Sequence, residues 1–453
     1  MRLHFIAVGG SAMHNMAIAL SEKGNNVTGS DDAIYEPSRS RLMKYGILPE
    51  VMGWHPEKIT ADIDAVILGM HARSDNPELL KAKELGLKIY SYPEYIYEQS
   101  KDKIRVVIGG SHGKTTITSM ILHVLKVCGH DFDYLVGAQL EGFETMAKIS
   151  EAPVIIIEGD EYLASPVDRR PKFHLYRANI GVISGIAWDH INVFPTFENY
   201  TDQFRIFLDT IIPGGTVIYN ADDETVKELV ENSQADLRRE PYRAAGSFTE
   251  DGQTWLKTES GDFPLQVFGK HNLQNMEAAR HVCQDLGIEE GDFYKAIGSF
   301  KGAAKRLELL GKCNSTAVFK DFAHSPSKLK ATIDAVKDQF PERELIAVIE
   351  LHTFSSLNRD FLNEYSGSLD RADVAVVFIS LRTFEQKKMN PYEENIVKQA
   401  FGNNELIFFN KPEILVEFLS SINYKSKNLL LMSSGDFGGL DLKEIAEQAL
   451  NNS

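Results

Sequence analysis

The chain has 453 residues, of which 43% are hydrophobic and 25% are charged, and its formal net charge at pH 7 is −16. This length exceeds what one hydrophobic core supports, so we expect several domains. The negative charge argues against a nucleic-acid partner, because such surfaces need clustered Lys and Arg. No apolar run approaches the ~18 residues of a membrane span, and the N-terminal segment has no secretory signal. Three widely spaced cysteines are typical of reduced thiols, so we expect a cytoplasmic protein without membrane insertion.

Residues 1–103 alternate short apolar segments with helical ones, which predicts a Rossmann-like domain. The first strand runs into a Gly-Gly-Ser turn, and Asp31 follows about 20 residues later, where an acid suits a ribose hydroxyl. Gly10, Ser11 and Asp31 are therefore candidate substrate-binding residues. The dinucleotide fingerprint G-x-G-x-x-G is absent, so a Rossmann-like domain without a bound nucleotide explains this pattern equally well.

The most specific motif follows a β-branched strand at residues 104–108. It reads Gly109-Gly110-Ser111-His112-Gly113-Lys114-Thr115-Thr116 and leads into a helix. Glycines let backbone N–H groups approach phosphate oxygens, the Lys reaches the outer phosphates, and the Thr hydroxyl suits Mg²⁺. In the usual phosphate loop the first Gly would stand at position 108, which is Ile here. The loop is therefore the shorter form, which begins at Gly110. We predict that this loop binds ATP with Mg²⁺.

Residues 104–302 are predicted to form a second α/β unit around this loop. Two further strands end in polar residues, Glu158 after residues 154–157 and His190 after residues 180–184. Ligands gather at the carboxyl ends of parallel strands, so these residue types suit a Mg-nucleotide site. A small antiparallel insertion is predicted at about residues 240–268. Asn272 and Asn275 lie one helical turn apart and could contact a base or cap the helix.

Residues 303–453 again alternate strands and helices, which predicts a third unit with a mostly parallel sheet. Arg306 and Asp321 lie near its start. A cation such as Arg306 would stabilise charge on a phosphoryl group during transfer, although by itself it could equally be a surface charge.

Together these motifs resemble the Mur ligase family, ATP-dependent amide-forming enzymes of peptidoglycan precursor synthesis. The loop matches the family form G-T-x-G-K-T-T, and the other motifs follow in the family's order: Glu158-Gly-Asp-Glu161, Trp188-Asp-His190, Asn272 with Asn275, Arg306-Leu-Glu308 and Asp321-Phe-Ala-His324. The resemblance implies an α/β protein of three domains. These are a Rossmann-like UDP-sugar-binding domain, a central phosphate-loop ATPase domain and a C-terminal Rossmann-like acceptor-binding domain, at residues 1–103, 104–302 and 303–453.

The resemblance also implies roles for individual residues. The implied catalytic residues are Lys114, Glu158, His190, Arg306 and Asp321. The implied nucleotide-binding residues are Gly110, Ser111, His112, Gly113, Lys114, Thr115, Thr116, Asn272, Asn275 and Arg306. The implied metal ligands are Thr115, Glu158 and His190, and the implied substrate-binding residues are Gly10, Ser11, Asp31 and His324.

The N-terminal glycine turn resembles that of family members that use UDP-N-acetylmuramate. Four segments favour the tripeptide L-alanyl-γ-D-glutamyl-meso-diaminopimelate over L-alanine as the acceptor: residues 35–37, 161–173, 322–324 and 432–439. The chain departs from the family at Gly185, where an Asn is frequent, at Phe204, where several members carry a carbamylated Lys, and at Ser325, where many have a second His. A non-catalytic nucleotide-binding relative and a mechanical or signalling NTPase are the alternatives.

Overall fold

The computed structural model describes residues 1–140, 142–188, 193–250, 252–303 and 306–453. The chain forms two compact units. The first contains Met1–Ile186, Phe197–Arg243 and Glu277–Ala296, and the second contains Ala187–Thr196, Ala244–Met276 and Ile297–Ser453. No helix in the described part of the chain is long and apolar enough to cross a membrane.

The first unit begins with a four-stranded parallel sheet of order β2-β1-β3-β4. Its strands are β1 (Arg2–Ile6), β2 (Asn26–Ser30), β3 (Ala65–Leu68) and β4 (Ile89–Ser91), and its helices are α1 (Ser11–Glu22), α2 (Ser38–Lys44), α3 (Pro77–Glu84) and α4 (Tyr92–Ser100). Local signals set the helix starts. Asn76 accepts hydrogen bonds from the amides of Glu78 and Leu79, and Ser91 forms a capping box with Glu94.

The same unit holds a seven-stranded sheet of order β11-β10-β9-β5-β8-β6-β7, parallel except for β7. Its strands are β5 (Ile104–Gly109), β6 (Asp133–Leu135), β7 (Ala147–Lys148), β8 (Val154–Glu158), β9 (Ile180–Ile183), β10 (Gly215–Asn220) and β11 (Leu237–Tyr242). Its helices are α5 (Lys114–Val127), α6 (Lys172–Leu175), α7 (Phe197–Thr210) and α8 (Glu224–Glu231). The central strands are almost continuous aliphatic runs, because helices cover both faces of such a sheet.

Two further helices, α9 (Lys270–Asp285) and α10 (Glu290–Ile297), precede the C-terminal part of the chain. The second unit holds an antiparallel sheet of β12 (Ser247–Glu250), β13 (Gln253–Thr258) and β14 (Gly261–Leu265). It also holds a six-stranded sheet of order β15-β16-β20-β17-β18-β19, parallel except for β15. The strands of that sheet are β15 (Glu308–Lys312), β16 (Ala317–Asp321), β17 (Glu344–Glu350), β18 (Val374–Phe378), β19 (Ile407–Phe409) and β20 (Lys427–Met432).

Helices cover both faces of the six-stranded sheet: α11 (Pro326–Gln339), α12 (Arg359–Leu362), α13 (Leu381–Lys387), α14 (Glu394–Phe401), α15 (Pro412–Ser421) and α16 (Leu442–Asn451). The period-2 alternation of a strand divides its side chains between the two cores. On β17, for example, Ala347 and Ile349 pack into one hydrophobic cluster, whereas Ile346 and Val348 pack into the other.

The α/β class with mostly parallel sheets is confirmed, as is the antiparallel insertion. The sequence analysis did not identify the short or edge strands β6, β7, β11, β15 and β19. These strands are stabilised by pairing with distant segments, and their own sequences carry little pattern.

A buried arginine ties the N-terminal part of the first unit to its seven-stranded sheet. Arg105 lies on β5 and is only 4% exposed. Its guanidinium donates to five backbone carbonyl oxygens, those of Ser100, Lys101, Lys103, Tyr176 and Arg177, at 2.8–3.1 Å. The segment between α4 and β5 is therefore held by hydrogen bonds to the Arg105 side chain.

The N-terminal part of the chain contains a polar pair, His4 and Glu78, that is buried from water. The imidazole Nε2 of His4 lies 3.2 Å from Glu78 Oε2, and neither residue is exposed. The amide of His55 donates to the other carboxylate oxygen at 2.7 Å. Burial raises the pKa of Glu78, but the hydrogen bonds from His4 and His55 outweigh it, so this pKa lies below its ordinary value.

We expect His4→Ala to lower the free energy of unfolding by about 3–5 kcal/mol, because it leaves a buried carboxylate without its partner. The loss should be present above the ordinary pKa of a Glu, about 4.3, and should shrink as the pH falls below it and Glu78 becomes protonated. Urea unfolding at several pH values measures both. Exposed His130 provides the control His130→Ala, and equal stability of the two variants would contradict the prediction.

Candidate functional site

The phosphate-loop motif lies between β5 and α5, at the carboxyl edge of the seven-stranded sheet. Gly110 and Gly113 adopt φ of +134° and +81°, which only glycine adopts readily. A side chain at Gly110 would collide with Ser184 on the neighbouring strand end. The loop therefore packs directly on the strand beside it, and the N-terminus of α5 opens at this edge.

Glu158 and Thr115 form a buried pair beside the loop. The Thr115 hydroxyl donates to Glu158 Oε1 at 2.7 Å, and the amide of Gly137 donates to Oε2 at 2.8 Å. Burial raises the pKa of Glu158, and the negative charge of Asp160 adds to that rise. A hydroxyl and a carboxylate side by side are the oxygen ligands that Mg²⁺ prefers, and a nearby cation would relieve the cost of the buried carboxylate.

Lys114 lies between the loop and a second acid. Its ammonium donates to Gly110 O at 2.6 Å and to Glu161 Oε2 at 2.8 Å. Burial lowers the pKa of Lys114, but the charges of Glu161 and Asp160 outweigh it, so this pKa lies above its ordinary value. The lysine is therefore a permanent cation at the position where the outer phosphates of a nucleotide would lie.

Tyr200 on α7 joins this group. Its hydroxyl lies 2.8 Å from Ser111 Oγ and donates to Glu161 Oε1 at 3.2 Å. Thus the structure brings together the predicted residues Gly110, Ser111, His112, Gly113, Lys114, Thr115, Thr116 and Glu158. From the sequence, neither Glu161 nor Tyr200 was assigned a role, although Glu161 lies in the motif Glu158-Gly-Asp-Glu161.

The two departures from the family pattern have structural explanations in this unit. A side chain at Gly185 would collide with the His112 ring, so the glycine makes room for the loop histidine. Phe204, at the position where several family members carry a lysine, is fully buried and packs edge-on against Phe173 and Tyr200. A lysine at position 204 would have to replace this aromatic contact.

His190 lies outside the described residues, so its predicted metal and catalytic roles stay predictions. Among the described side chains, no group of three or more His, Cys, Asp or Glu is placed to hold a metal by itself. Mg²⁺ often takes only one or two protein ligands and obtains the rest from phosphate and water. The Thr115–Glu158 pair fits such a site.

A second candidate site lies at the N-terminus of α1. A pocket of about 170 Å³ is lined by Gly10, Ser11, Gly69, His71, Tyr92 and Lys172. The ammonium of Lys172 also contacts Asp160 at 3.1 Å. Backbone N–H groups at a helix start and a nearby ammonium favour an anionic group. Lys172 was quoted within a motif but was not predicted to contact substrate.

Asp31 does not line this pocket. It is 1% exposed, and its carboxylate accepts the amides of Gly9 at 2.7 Å and Asp32 at 2.9 Å. Burial raises its pKa, and its hydrogen bond from Gly9 opposes that rise. In the described structure Asp31 holds the glycine turn, and its contact with a substrate stays a prediction.

In the second unit, Asn272 and Asn275 lie near the start of α9 and are both 7% exposed. The helix begins at Lys270, and the Asn272 side chain donates to Phe268 O at 2.8 Å. The interpretation of Asn272 as a helix cap is therefore wrong, because a cap precedes the first turn and accepts from its amides. Contact with a base stays a prediction.

Arg306, Asp321 and His324 lie close together in the second unit. The Arg306 guanidinium stacks 4.7 Å from the centre of the Phe322 ring, and His324 Nδ1 lies 2.8 Å from Phe322 O. Asp321 accepts the amides of Leu307 and Ala323, each at 2.6 Å. Asp321 thereby fixes the backbone next to Arg306, and its predicted catalytic role stays a prediction.

Three family models cover most of the chain. The Mur ligase family catalytic domain matches residues 2–103, the Mur ligase middle domain matches residues 108–283, and the Mur ligase glutamate ligase domain matches residues 305–435. They follow one another in the order that the sequence motifs predict.

Relatives match over nearly the whole chain. A UDP-N-acetylmuramate–L-alanine ligase of Sulfurihydrogenibium sp. is 30% identical over 96% of this chain and 95% of its own length. A UDP-N-acetylmuramate–L-alanyl-γ-D-glutamyl-meso-2,6-diaminoheptandioate ligase of Haemophilus influenzae is 28% identical over 97% and 98%. The crystal structure of a UDP-N-acetylmuramate–alanine ligase from Thermotoga maritima shares the fold, with a TM-score of 0.68, 21% identity and coverage of 100% and 98%. The chain belongs to the Mur ligase family of ATP-dependent ligases that form peptide bonds.

Proposed function

We propose that this ligase joins the carboxylate of UDP-N-acetylmuramate to the amine of L-alanyl-γ-D-glutamyl-meso-diaminopimelate, with ATP as the energy source, in the cytoplasm. The observation that carries the proposal is that the Lys114 ammonium, bonded to Gly110 O and Glu161, and the buried Thr115–Glu158 pair lie at the same sheet edge. Relatives named for L-alanine and for the tripeptide match about equally well. The tripeptide is proposed on the four sequence segments that favour it.

The chemistry follows from the poor reactivity of a carboxylate. Oxide does not leave, so an amine cannot displace it at neutral pH. Attack of a carboxylate oxygen on the γ-phosphorus of ATP breaks the bond to the β-phosphate, releases ADP and gives an acyl phosphate, whose phosphate leaves readily. The acceptor amine then attacks the acyl carbon, and the tetrahedral intermediate collapses to the amide and phosphate.

In the first unit, the residues would act on the phosphates. Lys114 would hold the outer phosphates and stabilise the charge that develops during transfer. Thr115 and Glu158 would hold Mg²⁺, and by family resemblance His190 would help to hold a second metal beside the substrate carboxylate. The ion would neutralise phosphate charge when bound. The glycine loop would orient the nucleotide through its backbone N–H groups.

The pocket at α1 is the proposed place for the nucleotide sugar. Gly10 and Ser11, at the start of α1, line this pocket together with Lys172, which brings a positive charge to it. Such a set suits the diphosphate of a UDP-sugar. Ser11 also contacts Met146, and Met146 donates its amide to Asn15, so this pocket lies against the loop before β7.

For the second unit, the proposal rests on the family resemblance. Asn272 and Asn275 would contact the base, Arg306 would stabilise phosphoryl charge, and Asp321 would act at the nucleotide. His324 would contact the acceptor. A non-catalytic nucleotide-binding relative is the alternative of another class, and it predicts nucleotide binding without turnover.

We expect phosphate release from ATP and UDP-N-acetylmuramate when the tripeptide is supplied, and no release with L-alanine. The assay offers the two acceptors in separate reactions and analyses the products by mass spectrometry. Turnover with L-alanine alone would instead identify an amino-acid-adding ligase. Nucleotide binding without turnover would favour the non-catalytic relative, and ATP hydrolysis independent of an acceptor would favour an NTPase.

Lys114→Ala should lower kcat by at least ~100-fold, because it removes a cation aimed at developing phosphoryl charge. Its circular dichroism spectrum should match that of the parent protein. The control Lys101→Ala removes an exposed lysine paired with Glu98 and should leave kcat unchanged. A fully active Lys114→Ala enzyme would refute the mechanism.

Glu158→Gln should abolish the rise in Tm that Mg²⁺ gives in the presence of ADP, because the neutral amide is a weak ligand for a hard cation. The unliganded variant should be at least as stable as the parent at pH 7, since the buried charge is gone. Thermal unfolding with and without Mg²⁺ measures both effects. A preserved Mg²⁺-dependent shift would show that Glu158 is not a ligand.

A further inference from the structure

We propose that Glu161, held by Tyr200, is a positioning residue that fixes the Lys114 ammonium for the nucleotide phosphates. This inference rests on the proposed nucleotide site and concerns residues that the proposed mechanism does not otherwise use. The hydrogen bond between Lys114 and Glu161 spans 47 residues in sequence and joins the start of α5 to the loop after β8. Both partners are shielded from water, with Glu161 only 2% and Lys114 13% exposed.

Two of the three N–H donors of the Lys114 ammonium have acceptors in the structure. A lysine ammonium has three N–H donors. One is directed to Gly110 O at 2.6 Å and one to Glu161 Oε2 at 2.8 Å. Two fixed donors define the direction of the third, which is left for a phosphate oxygen. Without Glu161, the four-carbon stem of Lys114 would sample several rotamers, and ordering it would reduce the binding energy.

Glu161 also separates the cation from the proposed metal ligand. Glu158 lies near enough to Lys114 for their charges to interact. If Lys114 paired with Glu158, the ammonium would compete with a metal for that carboxylate. Because Glu161 accepts the ammonium, Glu158 is left to accept the neutral donors of Thr115 and Gly137, and the Lys114 ammonium does not compete with a metal for its oxygens.

Tyr200 holds Glu161 in place from the other side. Its ring is fully buried and packs edge-on against Phe204 at 5.4 Å, so the hydroxyl has a fixed position. That hydroxyl reaches Glu161 Oε1 at 3.2 Å and Ser111 Oγ at 2.8 Å. One phenol therefore connects the positioning acid to the phosphate loop.

A double-mutant cycle tests the proposal through binding, without turnover. Isothermal titration calorimetry measures the Kd of a non-hydrolysable ATP analogue and of ADP, both with Mg²⁺, for the full-length chain. The variants are Glu161→Gln, Lys114→Met and their combination. Glu161→Gln should weaken the analogue about tenfold and ADP less, because Lys114 acts on the outer phosphates. In the Lys114→Met background, Glu161→Gln should change neither affinity more than about twofold.

Tyr200→Phe keeps the aromatic packing and removes only the hydroxyl. It should weaken the analogue about threefold in the parent protein and have no effect beside Lys114→Met. In turnover assays it should lower kcat while the KM for the nucleotide sugar stays unchanged. The control Glu98→Gln removes an exposed glutamate paired with Lys101 and should alter none of these values.

The outcomes separate the proposal from a structural role and from failure of the proposed function. Equal weakening by Glu161→Gln in both backgrounds would overturn the proposal, because the acid would then act independently of Lys114. Should Glu161→Gln fail to fold, unchanged analogue affinity in Tyr200→Phe would overturn it. A parent protein that binds neither nucleotide would instead refute the proposed function.

Discussion

Buried charge at the carboxyl edge of the seven-stranded sheet constrains the rest of the candidate site. A carboxylate withdrawn from water is costly unless a partner holds it. Glu158 and Glu161 both lie there, and each has a different partner, the hydroxyl of Thr115 and the ammonium of Lys114. Glu158 accepts a neutral hydroxyl, and burial raises its pKa, whereas Glu161 accepts an ammonium. This division gives one acid the character of a metal ligand and the other that of a support for the lysine.

The same edge explains why the phosphate loop needs its neighbours. The Ser184 hydroxyl donates to Gly109 O at 3.2 Å and also to His112 O, and the His112 ring occupies the space above Gly185. The loss of a side chain at Gly185 and the presence of a histidine in the loop are thus one packing solution. Gly185 and His112 lie 73 positions apart in the sequence, so the fold and not the local sequence sets this close approach.

Acids that follow strands serve two different purposes in this chain. Glu158 accepts one hydroxyl and one amide. Asp31 accepts two backbone amides, and Asp321 accepts two backbone amides and, at 3.4 Å, the Thr332 hydroxyl. Positions after strands predicted ligand contacts for Glu158 and Asp31, and the family resemblance implied one for Asp321. A strand-terminal acid has the same local pattern whichever purpose it serves. Which oxygens remain for a ligand depends on the backbone that folds around them, and that backbone comes from other segments.

By itself, the sequence determined the α/β class, the main parallel strands and the phosphate loop, because these depend on local apolar runs and on glycines with positive φ. It also determined the family, through several motifs in one order. Only the tertiary structure decided the edge strands, the partners of Asp31 and Asp321, and the link from Lys114 through Glu161 to Tyr200. The physical reason is distance along the chain: Glu161 lies 47 residues from Lys114 and 39 from Tyr200, and no local pattern specifies which distant side chains pack together.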